Sequence, residues 1–179
     1  MKLSAGMKMP DFTVNTNVRD NVKLSEMTGE KNIFWVIRYI GCTVCRYDVH
    51  VLSQRFSEIE DKGCKLFVVM QSDTEHVKRD LEGFRIPFEI ICDDKQEIYS
   101  ELEVLPAESR EQLVGDSLDK LKVKGAAARE AGFAHGDYEG NELQLPALFI
   151  TDKDLDVTYA HYGRNIMDMP SVDELIEMI

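Results

Sequence analysis

The chain has 179 residues, 44% of them hydrophobic and 30% charged, the balance of one globular domain able to enclose its own core. Lysine and arginine number 21 against 33 aspartates and glutamates, a formal net charge of −12, which argues against a general binder of nucleic acid or of anionic membrane surfaces. No run approaches the ~20 apolar residues that a membrane span needs, and residues 1–10 hold no long apolar segment of the secretory kind, so a cytoplasmic protein is expected.

After a loose lead-in, Asp11 to Val14 alternates like a short strand, Val18 to Asn21 is turn-like, and Val22 to Leu24 returns as a second strand. Ser25 caps a short helical turn that runs to Gly29. Asn32 to Ile40 is nearly all apolar, with Ile33, Phe34, Trp35, Val36 and Ile37 in sequence, and suits a central strand covered on both faces. A helix follows from about Thr43 to Lys62, with Val44, Tyr47, Val51, Leu52, Phe56 and Ile59 at helical spacing and Gly63 as its stop. Cys64 to Met70 is the next buried strand. Ser72-Asp73-Thr74 caps a helix with Val77, Leu81 and Phe84 on one face, broken at Pro87. Phe88 to Cys92 is a further strand, and Ile98 to Leu102 a short helix.

Residues 105–143 are the least regular. Helical spacing (Leu118, Leu121, Val123, Ala127) predicts one helix from Leu113 to Ala131, ended by Gly132, and Gly136 to Asn141 reads as loop. The stretch is read as a helical insertion within a single domain spanning 1–179. Leu145 to Thr151 is a strand with Pro146 at its start, Asp152-Lys153-Asp154 a hairpin turn, and Leu155 to Tyr159 the returning strand. Ser171 caps a last helix with Val172, Leu175, Ile176 and Ile179 facing inward. Strands alternating with helices, then a closing hairpin and helix, predict an α/β fold: a central mixed β-sheet flanked by helices.

The chemistry concentrates between Arg38 and Arg46. Cys42 and Cys45 fall where the apolar run stops at Gly41 and the helix begins. A helix start carries unpaired N–H groups and a partial positive charge, so sulfur placed there ionises more easily. The spacing of three puts both thiols on one face, within reach of a small disulfide ring. In a reducing compartment a C-x-x-C pair signals redox chemistry or a metal before a structural bridge. Zinc wants about four ligands. Cys64 begins its strand and Cys92 ends its own, so in parallel strands they lie at opposite sheet edges and complete neither a metal site nor a bridge. No metal and no bound cofactor is expected. Cys92 would share the edge of Cys42, as a core residue or as a lone sensor thiol. Arg38 either caps its strand or steadies a thiolate, and Arg46 lies near enough in sequence to lower the thiol pKa. Pro146 most simply begins a strand. His50 and His161 read as ordinary helix and hairpin residues.

Taken together, Gly6-x-x-Met9-Pro10-Asp11-Phe12, Arg38-x-x-Gly41-Cys42-x-x-Cys45-Arg46 and Leu145-Pro146-Ala147-Leu148-Phe149-Ile150-Thr151-Asp152 resemble the peroxiredoxin-like (AhpC/TSA-type) branch of the thioredoxin superfamily. The ending, Tyr159 to Asn165 and Pro170 to Leu175, is similar too, and the resemblance is weakest over 105–143. It implies a thioredoxin-like fold and an antioxidant oxidoreductase. The family carries P-x-x-x-T-x-x-C, which lays Arg38 on its proline, Cys42 on its threonine and Cys45 on its peroxidatic cysteine. Pro146 stands where the family has a later arginine. A proline there marks thioredoxin-type oxidoreductases, in which it is cis and faces the dithiol. That implies a cis Leu145–Pro146 bond, with the Leu145 backbone offered to an incoming chain as a strand.

The expected function is thiol–disulfide exchange, with Cys42 attacking and Cys45 resolving. The alternative is a thiol peroxidase in which Cys45 is oxidised by a hydroperoxide, Cys42 condenses with it, and Arg38 holds a peroxide oxygen. A third reading is a binding module without catalysis. The partners expected are a protein disulfide or hydroperoxide as substrate, a thioredoxin-type or other thiol as reductant, and, by analogy with related folds, a second copy of the chain in a homodimer.

Overall fold

The computed structural model describes residues 1–179. Its centre is a seven-stranded sheet in the order β2-β1-β5-β4-β3-β6-β7. Three parallel strands, β3 (Lys31–Val36), β4 (Cys64–Met70) and β5 (Glu89–Cys92), occupy the middle. The antiparallel pair β1 (Thr13–Thr16) and β2 (Val22–Lys23) joins the β5 edge, and the hairpin β6 (Ala147–Asp152) and β7 (Val157–Tyr162) joins β3. This is the mixed, helix-flanked sheet that the sequence pattern predicts.

The apolar run of β3 alternates across the sheet and feeds two cores of similar size. Ile33 and Trp35 enter a cluster of 22 buried residues under α2 (Thr43–Glu60), α3 (Thr74–Asp80) and α7 (Val172–Met178). Phe34 and Val36 enter one of 19 under α1 (Leu24–Met27) and α4 (Glu97–Glu101). Because β3, β4 and β5 run parallel, their C-terminal ends share one edge of the sheet. The crevice beyond those ends is where open α/β sheets place their chemistry.

Residues 105–143 depart from the predicted single helix. Two helices form instead, α5 (Arg110–Val114) and α6 (Leu118–Glu130), broken at Gly115, whose φ of 56° lies in the region that glycine favours. The inward face of α6 also differs from the predicted one. Leu118 and Val123 are exposed, while Gly125 and Ala128 are buried. Small residues on the inner face let α6 approach α2 closely, and the Lys124–Asp48 ion pair (2.5 Å) ties the two helices. From Phe133 to Leu143 the chain then returns as a strap without helix or strand.

Candidate active site

Cys42 is the N-cap of α2, in extended backbone (φ −70°, ψ 121°). The N–H of Cys45 donates to Cys42 Sγ at 3.4 Å, and the Cys42 carbonyl accepts from Arg46 N at 2.8 Å. A cap is normally a hydroxyl or carboxylate oxygen; here a sulfur takes that place, and the orphan helix donors stabilise it as a thiolate. Both thiols are reduced and buried.

The two sulfurs are electrostatically unequal. The Cys45 thiol donates to Cys42, and this bond, with the Arg38 guanidinium and the Cys45 N–H, lowers Cys42 to about 7 against the effects of burial and Asp48. Burial, followed by that same bond and the neighbouring charge on Cys42, pushes Cys45 well above the usual thiol range. Near neutral pH Cys42 therefore divides between thiol and thiolate, while Cys45 stays protonated as its donor.

Arg38 sits in the turn between β3 and α2, with its carbonyl held by Gln71 N at 2.7 Å. Its Nη1 donates to Cys42 Sγ at 3.7 Å, and its Nη2 pairs with Glu142 Oε2 at 3.2 Å. The buried Nε has no partner. Tyr39 is fully buried; its hydroxyl donates to Glu142 and lies 3.1 Å from His135 Nε2. Burial and the bond to Glu142 push the Tyr39 phenol far up, so it remains protonated. Lys124 lies near enough for both thiols to favour its charge. Burial opposes that charge, but Asp48 outweighs it and the Lys124 pKa is raised.

Arg38, Cys42, Thr43, Val44, Leu113, Leu121, His135, Glu142 and Leu143 are among the residues that line a cavity of about 310 Å³; Cys45 is not. The strap forms one wall. It meets the turn at Gly41, where the Gly136 N–H donates to the Gly41 carbonyl at 2.8 Å. A Cβ at Gly41 would come within 2.9 Å of Asp137 N and closer still to its carbonyl oxygen, so only glycine admits the strap there.

Three expected supports are placed elsewhere. The Leu145–Pro146 bond is trans, as is every other peptide bond of the chain, which corrects the cis bond implied by the resemblance. Pro146 is pinned against β7: its carbonyl accepts from Gly163 N at 2.8 Å, and a Cβ at Gly163 would lie 2.7 Å from its Cγ. Neither Pro146 nor Leu145 lines the Cys42 cavity; Leu143, Glu142 and His135 do. Arg46 turns away from the sulfurs. One helical turn past Cys42, its guanidinium stacks over Phe84 (4.6 Å) and Phe133 (4.8 Å) and lies buried near Asp80. Cys64 and Cys92 begin and end parallel strands, at opposite edges as predicted. Burial, with Asp73, Asp94 and Glu139 nearby, pushes the Cys92 thiol up to about 12, which does not suit a sensor.

Comparison with known proteins places this architecture. The model of the AhpC/TSA family matches residues 5–160. The chain belongs to the AhpC/TSA family. It is thus a peroxiredoxin-like antioxidant oxidoreductase of the thioredoxin superfamily, working through thiols. Among solved structures it is similar to a cysteine-to-serine variant of peroxiredoxin 6 from Arenicola marina, with a TM-score of 0.72 and 14% identity over 98% of this chain and 71% of that one. It is also similar to AhpC from Enterococcus faecalis, at 0.69 and 14% over 99% and 90%. A third is the yeast mitochondrial 1-Cys peroxiredoxin, at 0.70 and 13% over 98% and 74%. At these identities the likeness is one of fold. Among curated proteins none matches the chain.

Tyr39, Glu142, His135 and the Asp48–Lys124 pair were not foreseen from the sequence. Glu142 and His135 come from the irregular stretch, about a hundred positions after Arg38, and nothing local announces the meeting. Tyr39 carried a signal that the apolar reading hid: a phenol within an otherwise apolar run needs a buried partner.

Proposed function

We propose that this protein reduces hydroperoxides, with Cys42 as the attacking thiolate and Cys45 as the resolving thiol. The carrying observation is the placement of Cys42: it is the sulfur with the lowered pKa, and it alone of the two lines the cavity with Arg38. A space of about 310 Å³ with Cys42 only 2% exposed admits a small peroxide far more readily than the disulfide of a folded protein. This favours the peroxidase reading over disulfide exchange and moves the attack from Cys45, where the family motif lays it, to Cys42.

The chemistry balances in three steps. The Cys42 thiolate attacks the terminal oxygen of ROOH; the O–O bond breaks, and the departing alkoxide leaves as ROH after taking a proton. Cys42 is then a sulfenic acid. The Cys45 sulfur displaces its hydroxyl, forming the Cys42–Cys45 disulfide and releasing water, with the Cys45 proton completing that water. An external dithiol reduces the disulfide and becomes oxidised in turn. Arg38, which lines the cavity beside Cys42, would hold the peroxide oxygens through its guanidinium. The yeast relative is described with glutathione and thioredoxin systems, and a reductant of that kind is the one to try first here.

The test is hydrogen peroxide and tert-butyl hydroperoxide consumption with thioredoxin and its reductase as electron source, beside insulin-disulfide reduction under the same conditions. Peroxide turnover that requires Cys42, with insulin reduction no faster than a free dithiol, supports the reading. The reverse pattern returns the protein to disulfide exchange, which the thiolate-plus-buried-thiol asymmetry also serves.

A further inference from the structure

On the same sheet edge, outside the dithiol cavity, three side chains converge from two separate segments. Asp73 is the N-cap of α3, His76 lies in its first turn, and Glu139 comes from the strap. One ligand atom from each lies within 4.8 Å of the others. His76 Nδ1 faces Asp73 Oδ1 at 2.8 Å and Glu139 Oε2 at 3.5 Å. Its other nitrogen, Nε2, lies 3.1 Å from Asp137 Oδ2.

This arrangement has an electrostatic consequence. If Nε2 carries the proton that bonds Asp137, the Nδ1 lone pair points at two carboxylate oxygens. In that tautomer three lone pairs meet in one place, and a cation among them, a second proton on His76 or a metal ion, relieves them; with its ring proton on Nδ1 instead, His76 donates to Asp73 Oδ1 at 2.8 Å and the cluster holds without one. The carboxylate behind Nε2 is the outer partner that metal-bound histidines usually have, fixing the ring and leaving the other nitrogen free to ligate.

Glu139 supplies the independent sign of a ligand. Its side chain is only 10% exposed, and its Oε1 is buried with no partner in the protein. A buried carboxylate oxygen without a donor costs folding energy unless something binds it. Glu139 Oε2 accepts from Asp73 N (3.0 Å), and Asp73 Oδ1 accepts from His76 N (2.8 Å), so backbone groups hold both carboxylates in place. Each oxygen keeps a further lone pair for a ligand.

We propose that Asp73, His76 and Glu139 form a binding site for a divalent first-row transition-metal ion, with water completing its coordination. One imidazole and two carboxylates suit Mn²⁺, Fe²⁺ or Zn²⁺; calcium and magnesium, which take oxygen ligands, are disfavoured by the nitrogen. The ion would bridge α3 and the strap that walls the Cys42 cavity.

The probe is Mn²⁺, which has little appetite for the Cys42–Cys45 dithiol and whose free form is counted by electron paramagnetic resonance. At pH 8 in reductant, the full chain is expected to bind one equivalent, with a nitrogen coupling from His76. Glu139→Gln should keep the shape and lose the charge, weakening binding at least tenfold; His76→Ala should abolish the nitrogen signal. Thermal unfolding is the control. In EDTA all three proteins should melt within a few degrees of each other, and excess Mn²⁺ should raise the midpoint of the native chain alone. No uptake by the native chain, or equal uptake by Glu139→Gln and His76→Ala, overturns the site and leaves a proton on His76 to hold the cluster.

Discussion

Cys42 and Cys92 stand on the same edge of one sheet, one just past the end of β3 and the other at the end of β5, and both are buried. Yet Cys42 is lowered to about 7 and Cys92 is raised to about 12. Burial alone pushes any thiol up. The difference lies in the neighbours. Cys42 has the Cys45 thiol and N–H, a helix start and Arg38; Cys92 has Asp73, Asp94 and Glu139. The position on the edge supplies access to the crevice, and the donors supply reactivity.

The largest test of that contrast is to delete each sulfur in turn. Cys42→Ser should cut peroxide consumption by roughly 10³-fold or more, because the thiolate carries the chemistry. Cys92→Ser should leave it within about twofold, the usual scatter for a position off the reaction path. Steady-state rates with a thioredoxin-type reductant, beside one-turnover trapping of the sulfenic acid in Cys45→Ser, would check both. Equal losses in the two variants would remove the distinction.

Some of this contrast is legible in the sequence, for physical reasons that stop at a definite point. An apolar run, a glycine and a C-x-x-C before a helical repeat locate Cys42 at a cap, because strand, turn and cap are local. The parallel order of β4 and β5 separates Cys64 from Cys92 for the same kind of reason. The environment of each thiol is not local. Glu142 reaches Arg38 and Tyr39 across about a hundred residues, and Glu139 and Asp73 reach Cys92 from different segments. Arg46 shows the error that follows from counting along a helix: four residues from Cys42, it is claimed by Phe84 and Phe133. The apolar spacing of 113–131 misled likewise, because Gly125 and Ala128 carry the contact with α2 through smallness, which a hydrophobic pattern does not register.

The strap treats the two cysteines differently: it walls the cavity that Cys42 alone of the two lines, and it brings the Glu139 carboxylate near Cys92. Gly41→Ala would drive a methyl into the Asp137 backbone. Relieving that overlap should cost about 1–3 kcal/mol, the range for overpacking, read as a lower urea midpoint at unchanged slope. The strap should shift outward, and Cys42 should be alkylated faster than in the native chain. An unaltered midpoint together with an unaltered labelling rate would mean that the strap does not wall the thiol.

Charge gives a smaller effect. Arg38→Met removes the guanidinium beside Cys42 but leaves the Cys45 donor, the larger cause of its lowered pKa. The midpoint of the iodoacetamide pH profile should rise by roughly one pH unit from about 7, which reduces thiolate at pH 7 about fivefold. Labelling of Cys92 should not respond.

The smallest effect concerns stability against pH, and here the two thiols differ in sign. Cys42 is lowered in the folded state, so the stability it contributes is fully present above the unfolded thiol value of ~8.5 and is lost as pH falls through about 7. Cys92 is raised, so it favours folding fully below ~8.5, and that contribution is lost progressively as pH climbs toward about 12, because the unfolded chain ionises there and the folded one does not. Urea unfolding in reductant at pH 7, 8 and 9.5 should therefore show native stability falling relative to Cys92→Ala between the last two points and not between the first two. Relative to Cys42→Ser it should rise between the first two. A native chain that runs parallel to Cys92→Ala across all three would mean that Cys92 feels neither its burial nor the carboxylates of Asp73, Asp94 and Glu139, and the contrast between the two edge thiols would then rest on Cys42 alone.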